Sequence, residues 1–111
     1  MRKVIAWAVA GLLLGVVLVG TPSATRAVDG KQIYTDKCLP CHGEKGDGKG
    51  AMAVAFNPPP GNFNDAKFWQ GDVDKMITES ITKGKGQMIP VDLKPEEIKA
   101  VTAYIKQTFK K

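Results

Sequence analysis

The pattern of hydrophobic and polar residues changes abruptly near residue 27 of this 111-residue chain. Val4–Gly20 is a run of 17 residues without a charge, whereas charged and apolar residues are mixed throughout the remainder. Beyond residue 27, apolar residues recur at spacings of three and four positions, which is the period of an amphipathic α-helix. The pattern therefore predicts an apolar leader followed by one helical domain.

Two amphipathic helices are predicted in the C-terminal half of the chain. The first spans Asp72–Lys83, where Asp72 is suited to cap the start and Gly84 to end the helix. The second begins at Pro95, because proline fits the first turn of a helix. Their apolar faces consist of Val73, Met76, Ile77, Ser80 and Ile81 in the first helix, and Ile98, Val101, Ile105 and Phe109 in the second.

The stretch between the leader and these helices is less regular. Asp29–Lys37 is predicted to form a short helix, and Pro40 is expected to bend or end it. Four glycines make Gly43–Gly50 a loop, and the consecutive prolines of Asn57–Gly61 exclude a regular helix there. Since no strand pattern is present, the sequence predicts a small all-α domain over residues 28–111.

Residues 1–27 follow the order of a secretory signal peptide. Two basic residues precede the uncharged run, and small residues stand at positions 25 and 27. Cleavage after Ala27 is predicted, and an uncleaved membrane anchor is the alternative, because the apolar run approaches the length of a membrane span. Either outcome exports residues 28–111, so a periplasmic location is expected, with membrane attachment only if the leader is retained.

The charge of the chain gives no sign of a nucleic-acid partner. Removing Arg2, Lys3 and Arg26 with the leader leaves 13 of the 16 basic residues against 11 acidic ones, a net charge of +2. The remaining lysines are dispersed, whereas a phosphate-binding surface needs them clustered. A domain this small has a thin core, and such domains often depend on a disulfide, a metal or a cofactor.

The candidate chemistry is concentrated in Cys38-Leu-Pro-Cys41-His42. This spacing is a haem-attachment signal, in which two thiols form thioethers with the haem vinyl groups and the imidazole lies beneath the iron. A thioredoxin-type redox pair would need a βαβ context, and a structural zinc site needs about four ligands. A plain disulfide would leave His42, the only histidine, unexplained. One covalent haem c held by Cys38 and Cys41 is therefore predicted.

A second iron ligand is sought among Met52, Met76 and Met88. Met76 lies on the apolar face of a predicted helix and is expected in the core. Met52 follows His42 by only ten residues, a short length of chain for crossing the haem rim. Met88 lies 46 residues beyond His42 in a glycine-rich loop and is the expected ligand. A thioether opposite histidine raises the reduction potential and closes the iron to substrates.

These motifs resemble those of the class I, monohaem cytochromes c of bacterial periplasms. The resemblance covers nearly all of residues 28–111 and rests on Cys38–Gly43, on the glycine-rich loop after it, and on Gly84–Pro90. Ile89 separates Met88 from Pro90, whereas the family usually has Met directly followed by Pro. Further matching residues are Gly30, Tyr34 and Tyr104, and the stretch Asn57–Phe63 resembles a subgroup of the family.

The resemblance implies a helical domain wrapped around one haem, with His42 and Met88 as the iron ligands. The first and last helices would cross through Gly30, Tyr34 and Tyr104. A carbonyl of the proline segment, from Pro58, Pro59 or Pro60, would accept the N–H of the His42 ring and fix its orientation. Trp69 would pack on the haem or bond a propionate, with ordinary core packing as the alternative.

The function expected from these features is one-electron transport by a monomer, without enzymatic activity, between extracytoplasmic redox partner proteins. Three alternatives stay open: a haem enzyme or sensor with an open sixth iron position, a haem subunit of a larger oxidoreductase, and a disulfide-stapled binding module. Lysines that flank the ligand segments are expected to steer an acidic partner. They are Lys37, Lys45, Lys49, Lys83 and Lys85.

Overall fold

The computed structural model describes residues 11, 13–17, 20 and 28–111. The predicted leader and its cleavage site lie almost entirely outside these residues. Within the described part of the chain, no helix is both long and apolar enough to cross a membrane.

The domain formed by residues 28–111 consists of helices and loops. Across this range the structure has no strand, and its one β-bridge joins Lys85 to Met88. The all-α prediction is therefore confirmed. The elements are α1 (Gly30–Ile33), a π-helical turn (Tyr34–Cys38), α2 (Leu39–His42), 3₁₀ turns at Ala53–Ala55 and Ala66–Trp69, α3 (Val73–Lys83) and α4 (Pro95–Phe109).

The first helix is longer than predicted: of the two outcomes expected at Pro40, a bend or an end, the helix does not end there. Asp29 caps it as expected, its carboxylate accepting the backbone N–H of Lys31 at 3.0 Å. The helix then widens by one residue, because the Leu39 N–H bonds the Tyr34 carbonyl five positions back. A proline lacks an N–H and its ring crowds the carbonyl four residues earlier, so the wider π turn lets the chain continue helically through Pro40.

The predictions for α3 and α4 are confirmed, including both ends of α3 and the start of α4. The Asp72 carboxylate accepts the Lys75 N–H at 3.1 Å, and Gly84 ends α3 with φ +76°. At the start of α4, the Glu97 carboxylate accepts the Lys94 N–H at 3.0 Å. The buried faces contain Val73, Ile77 and Ile81 from α3, and Ile98, Val101, Thr102, Ile105 and Phe109 from α4. The predicted core residue Met76 is half-buried against this cluster.

The first and last helices cross at Gly30, as the family resemblance implies. A Cβ atom on Gly30 would overlap the Ala100 carbonyl and lie 3.1 Å from the Tyr104 Cβ, so only glycine permits this approach. One turn further on, Tyr34 is 1% exposed, and its ring centroid lies 5.4 Å from those of Tyr104 and Phe109. The crossing holds the haem-attachment motif against α4.

The core continues from this crossing to His42 through Phe63. The Phe63 ring lies 6.4 Å from Tyr34 and 5.7 Å from Phe109, measured between centroids. The Gly43–Gly50 loop closes over this cluster, and a Cβ on Gly46, whose φ is +66°, would overlap the Phe109 ring. The predicted loop is therefore a packed part of the domain.

Candidate functional site

Cys38 and Cys41 lie about one helical turn apart, on either side of the junction between the π turn and α2. Both are free thiols and half-buried. Burial, with the neighbouring Cys41, raises the pKa of the Cys38 thiol to about 11. A redox-active Cys-x-x-Cys pair instead depends on a thiolate with a lowered pKa. The pair is thus better suited to covalent attachment of a group than to thiol–disulfide exchange.

His42 ends α2 with its ring fixed on two sides. Its Nδ1 lies 3.1 Å from the Gly61 carbonyl, and its ring stacks on Phe63 with centroids 4.6 Å apart at 18°. Because a carbonyl only accepts hydrogen bonds, Nδ1 carries the proton and Nε2 has a free lone pair in the neutral ring. Burial lowers the pKa of His42, and the Gly61 bond opposes this shift only in part. The ring is therefore held in the neutral, metal-binding form.

The acceptor of the His42 N–H is Gly61, so the expectation that Pro58, Pro59 or Pro60 supplies it is wrong. The chain bends at Asn57 and Pro58, and the first carbonyl after the three prolines is the one that reaches the ring. The Pro60 carbonyl instead lies against Gly48, where a Cβ would overlap it. The sequence alone does not distinguish Gly61 from the three prolines before it, because which carbonyl faces the ring depends on how the segment folds.

Met88 lies on a separate hydrogen-bonded turn between α3 and α4. Its backbone N–H donates to the Lys85 carbonyl at 2.9 Å, and its carbonyl accepts the Lys85 N–H at 3.1 Å. The side chain is half-buried against the core. Met52, by contrast, is 55% exposed beside the turn Ala53–Ala55. Met76 lies within α3 and Met52 is exposed, so Met88 is the one of the three methionines that lies in a loop and packs against the core.

One short segment connects the Met88 turn to the His42 ring. The Gln87 side-chain oxygen accepts the Asn57 N–H at 2.8 Å, and four residues further on Gly61 accepts the His42 N–H. The structure thus places Cys38, Cys41 and His42 together on one helix. It links Met88 to them through Asn57–Gly61. Neither Gln87 nor the Phe63 ring is identified as part of the site by the sequence motif.

Trp69 does not have the expected free N–H. Its indole N–H donates to the Phe63 carbonyl at 2.8 Å, and its ring meets Phe68 edge-on at 5.0 Å between centroids. The Lys110 ammonium lies 5.8 Å from the Trp69 ring centroid. The predicted propionate bond would need a donor that is already used, and the Trp69 ring packs against the protein core. Packing of this ring on a haem stays a prediction.

The residues present fit a covalently bound haem c. Two half-buried thiols a helical turn apart are followed directly by an imidazole whose Nε2 lone pair is free. In the chain from residue 28 onwards no group of three or more His, Cys, Asp and Glu side chains could hold a bare metal ion. The donor set therefore suits a haem better than an isolated zinc ion.

Comparisons with known proteins agree with this chemistry. The family model for cytochrome c matches residues 27–109. The cbb3-type cytochrome c oxidase subunit FixP of Azorhizobium caulinodans is 32% identical over 88 residues, which are 77% of this chain and 27% of FixP. Subunit CcoP of Rhodobacter capsulatus is 32% identical over 90 residues, 72% of this chain and 28% of CcoP. The chain thus spans little more than a quarter of these relatives.

Two solved structures resemble the fold with a TM-score of 0.59 each. The KustC0563 c-type cytochrome is 29% identical and matches 75% of this chain and 100% of its own. A chain of the Kuenenia stuttgartiensis reducing HAO-like protein complex Kustc0457/Kustc0458 is 32% identical, with 71% of this chain and 40% of that chain covered. The predicted cofactor follows: one haem c, covalently attached through Cys38 and Cys41. With its motif, its helical fold and this match over residues 27–109, the chain belongs to the cytochrome c family.

Proposed function

We propose that this chain is a one-electron carrier, without enzymatic activity, in which His42 and Met88 hold the haem iron. The observation that carries the proposal is the position of Met88. Its turn is closed by two backbone hydrogen bonds, its side chain is half-buried against the core, and the neighbouring Gln87 is tied to the segment that orients His42. A methionine held in this way would stay on the iron in both oxidation states and leave no open position for a substrate.

The roles of the residues follow from their surroundings. A bound haem supplies an iron centre that gains or loses one electron. Cys38 and Cys41 make its attachment permanent, and His42 offers Nε2 while Gly61 holds Nδ1. The Gly61 bond fixes the ring and makes Nε2 a stronger donor. The neutral Met88 thioether favours the reduced iron and so raises the potential.

A docking surface for a redox partner is suggested by the distribution of charge. All 11 carboxylates of residues 28–111 lie outside segments 48–64 and 80–91. These two segments meet where Asn57 bonds Gln87. They carry exposed apolar side chains at Met52, Val54 and Ile89, and the lysines Lys49, Lys83 and Lys85. An apolar patch that contains three lysines and no carboxylate of its own suits brief contact with a partner that has an acidic rim.

Two of the five lysines expected to steer the partner have weaker support. Lys37 and Lys45 lie outside the two carboxylate-free segments, and each directly follows an acidic residue, Asp36 and Glu44. We therefore assign the steering role to Lys49, Lys83 and Lys85. These lysines should increase the rate of association with the partner, and the increase should become smaller as salt screens the charges.

Visible absorption spectra of the holoprotein test the ligand assignment. The ferric form is expected to show the weak far-red band of thioether-ligated haem, and the ferrous form to bind carbon monoxide slowly. Met88→Ala should remove the band, whereas Met52→Ala should retain it. A native protein without this band that binds carbon monoxide rapidly would instead support a haem enzyme or sensor.

The location of the protein is also a proposal. Residues 1–27 would direct export, and residues 28–111 would function in the periplasm as a monomer, tethered to the membrane only if the leader persists. N-terminal sequencing of protein purified from the host distinguishes the two forms. A mature protein beginning at Val28 would support cleavage, whereas one that retains Met1 and fractionates with membranes would support an anchor.

A second candidate function is that of a haem subunit in a larger oxidoreductase. Its support is that FixP and CcoP are subunits of a cbb3-type oxidase and that a structural relative belongs to an HAO-like complex. Purification through an affinity tag under mild conditions tests this idea. A stoichiometric partner retained through gel filtration would favour the subunit role over the free carrier.

A further inference from the structure

The turn that carries Met88 makes a single side-chain hydrogen bond to the rest of the domain. Among the described residues, the one side-chain hydrogen bond made by residues 85–90 is that from the Asn57 N–H to the Gln87 Oε1 at 2.8 Å. The two residues are 30 positions apart. The other bonds of this loop are backbone bonds, within the Lys85–Met88 turn and from the Val91 N–H to the Ile81 carbonyl. These bonds shape the loop without joining it to the His42 side of the domain.

The Asn57–Gly61 segment is well suited to act as a rigid spacer. Three consecutive prolines between its ends have no N–H to donate and restrict the backbone torsions. Its far end is fixed by the bond between Gly61 and His42 at 3.1 Å. The same end is also supported by Gly48, whose backbone lies against the Pro60 carbonyl. Because the segment is stiff, a hydrogen bond that fixes its Asn57 end also fixes the distance from that end to the imidazole.

From this arrangement we infer that Gln87 is a positioning residue, which holds the Met88 turn in place by binding the Asn57 end of the spacer. The inference rests on the proposed ligation of iron by His42 and Met88. Gln87 touches no reacting atom itself. Its side chain fixes the position of the Met88 turn relative to the spacer, and Gly61 fixes the imidazole relative to the same spacer. The separation of the two ligands is thereby set by one rigid element.

The structure also limits how large the effect can be. Both Gln87 and Asn57 are exposed, so water can replace the lost partner when the bond is removed. An intramolecular hydrogen bond of ordinary strength then contributes a factor of about 3 to 10 to a local equilibrium. The equilibrium in question lies between Met88 on the iron and Met88 displaced by an external ligand.

Competition by exogenous imidazole for the ferric iron of the holoprotein measures that equilibrium. Gln87→Leu keeps the size of the side chain but removes the acceptor, so imidazole should bind about 3- to 10-fold more tightly while the far-red thioether band weakens. Gln87→Glu keeps an acceptor oxygen and should remain within about twofold of the native protein. Gln107→Leu, the same substitution at an exposed position of α4, is the matched control and should leave imidazole affinity unchanged.

The outcomes separate this inference from the function on which it rests. A native protein without the thioether band overturns both the ligation by Met88 and the role of Gln87. A native protein with the band, but with unchanged imidazole affinity in Gln87→Leu, overturns the role of Gln87 alone. If Gln87→Leu yields too little holoprotein, Gln87→Asn keeps the amide on a chain one methylene shorter. It should show the same tightening, and native affinity in that variant would refute the inference.

Discussion

Replacing Tyr34 with phenylalanine would measure how firmly the haem-attachment helix is joined to the loop that follows it. The Tyr34 side chain is 1% exposed, and its hydroxyl donates a 2.6 Å hydrogen bond to the carbonyl of Gly43, the residue after His42. The substitution removes this bond and retains the ring, with its contacts to Tyr104 and Phe109. The change in stability therefore reports mainly on one buried hydrogen bond.

The magnitude depends on what the Gly43 carbonyl does without the hydroxyl. It also accepts the Gly46 N–H at 3.1 Å, so it keeps one partner in the variant. A net intramolecular hydrogen bond contributes about 0.5–1.5 kcal/mol, whereas a buried acceptor with no partner costs about 1–3 kcal/mol. The first case applies, and we expect Tyr34→Phe to lower the free energy of unfolding by about 1 kcal/mol. In a domain of this size that corresponds to a fall in Tm of about 4–8 °C.

Guanidinium unfolding of the holoprotein provides the measurement, with the slope of the transition expected to stay constant and only its midpoint to move. Tyr104→Phe is the matched control, because no hydrogen bond joins the Tyr104 hydroxyl to another residue of the described domain. It should change the free energy of unfolding by less than about 0.5 kcal/mol. Native stability in Tyr34→Phe, or a loss above about 3 kcal/mol, would refute the reasoning.

Three further substitutions test other parts of the structure. Gly30→Ala places a methyl group on the Ala100 backbone and should cost about 1–3 kcal/mol in guanidinium unfolding, since a backbone cannot move aside as a side chain can; native stability would contradict the close crossing. Cys38→Ser or Cys41→Ser should leave haem attached by one thioether, and the double variant should release all haem to acidified acetone. Lys85→Gln should slow electron exchange with an acidic partner at low salt and match the native rate at high salt, whereas a defect that persists at high salt would argue against steering.

The parts of the fold that could be predicted from sequence are those determined by local signals. In α3, the apolar period, the Asp72 cap and the Gly84 stop all lie within or beside the helix, and the structure agrees with each. The same holds for Pro95 at the start of α4. The first helix differs because a π turn accommodates Pro40, and packing of Tyr34 against α4 holds this part of the helix in place. A local pattern contains no information about that packing.

In the candidate site, too, the residues set by a local sequence signal could be predicted, and those set by three-dimensional packing could not. The haem-attachment motif is a contiguous pattern, so Cys38 and Cys41 could be assigned from spacing alone. The partner of the His42 ring could be narrowed to the proline segment but not to Gly61, since which carbonyl faces a ring depends on three-dimensional placement. For Trp69, a nearby carbonyl uses the N–H that was expected for a propionate. Composition and periodicity do not reveal which distant residue in the chain accepts a particular hydrogen bond.

The π turn at Tyr34–Cys38 has a consequence for the ways in which this chain could diverge. Each residue of an α-helix advances the direction of its side chain by about 100°, so one extra residue in a turn offsets the angular phase of everything after it. Tyr34, at the start of the turn, faces α4, whereas His42, beyond it, faces Gly61. Deleting one residue would restore the ordinary period and rotate the imidazole about 100° from that carbonyl. In proteins that evolve from this chain, a change in the length of this segment should therefore be tolerated less well than a substitution of its exposed residues.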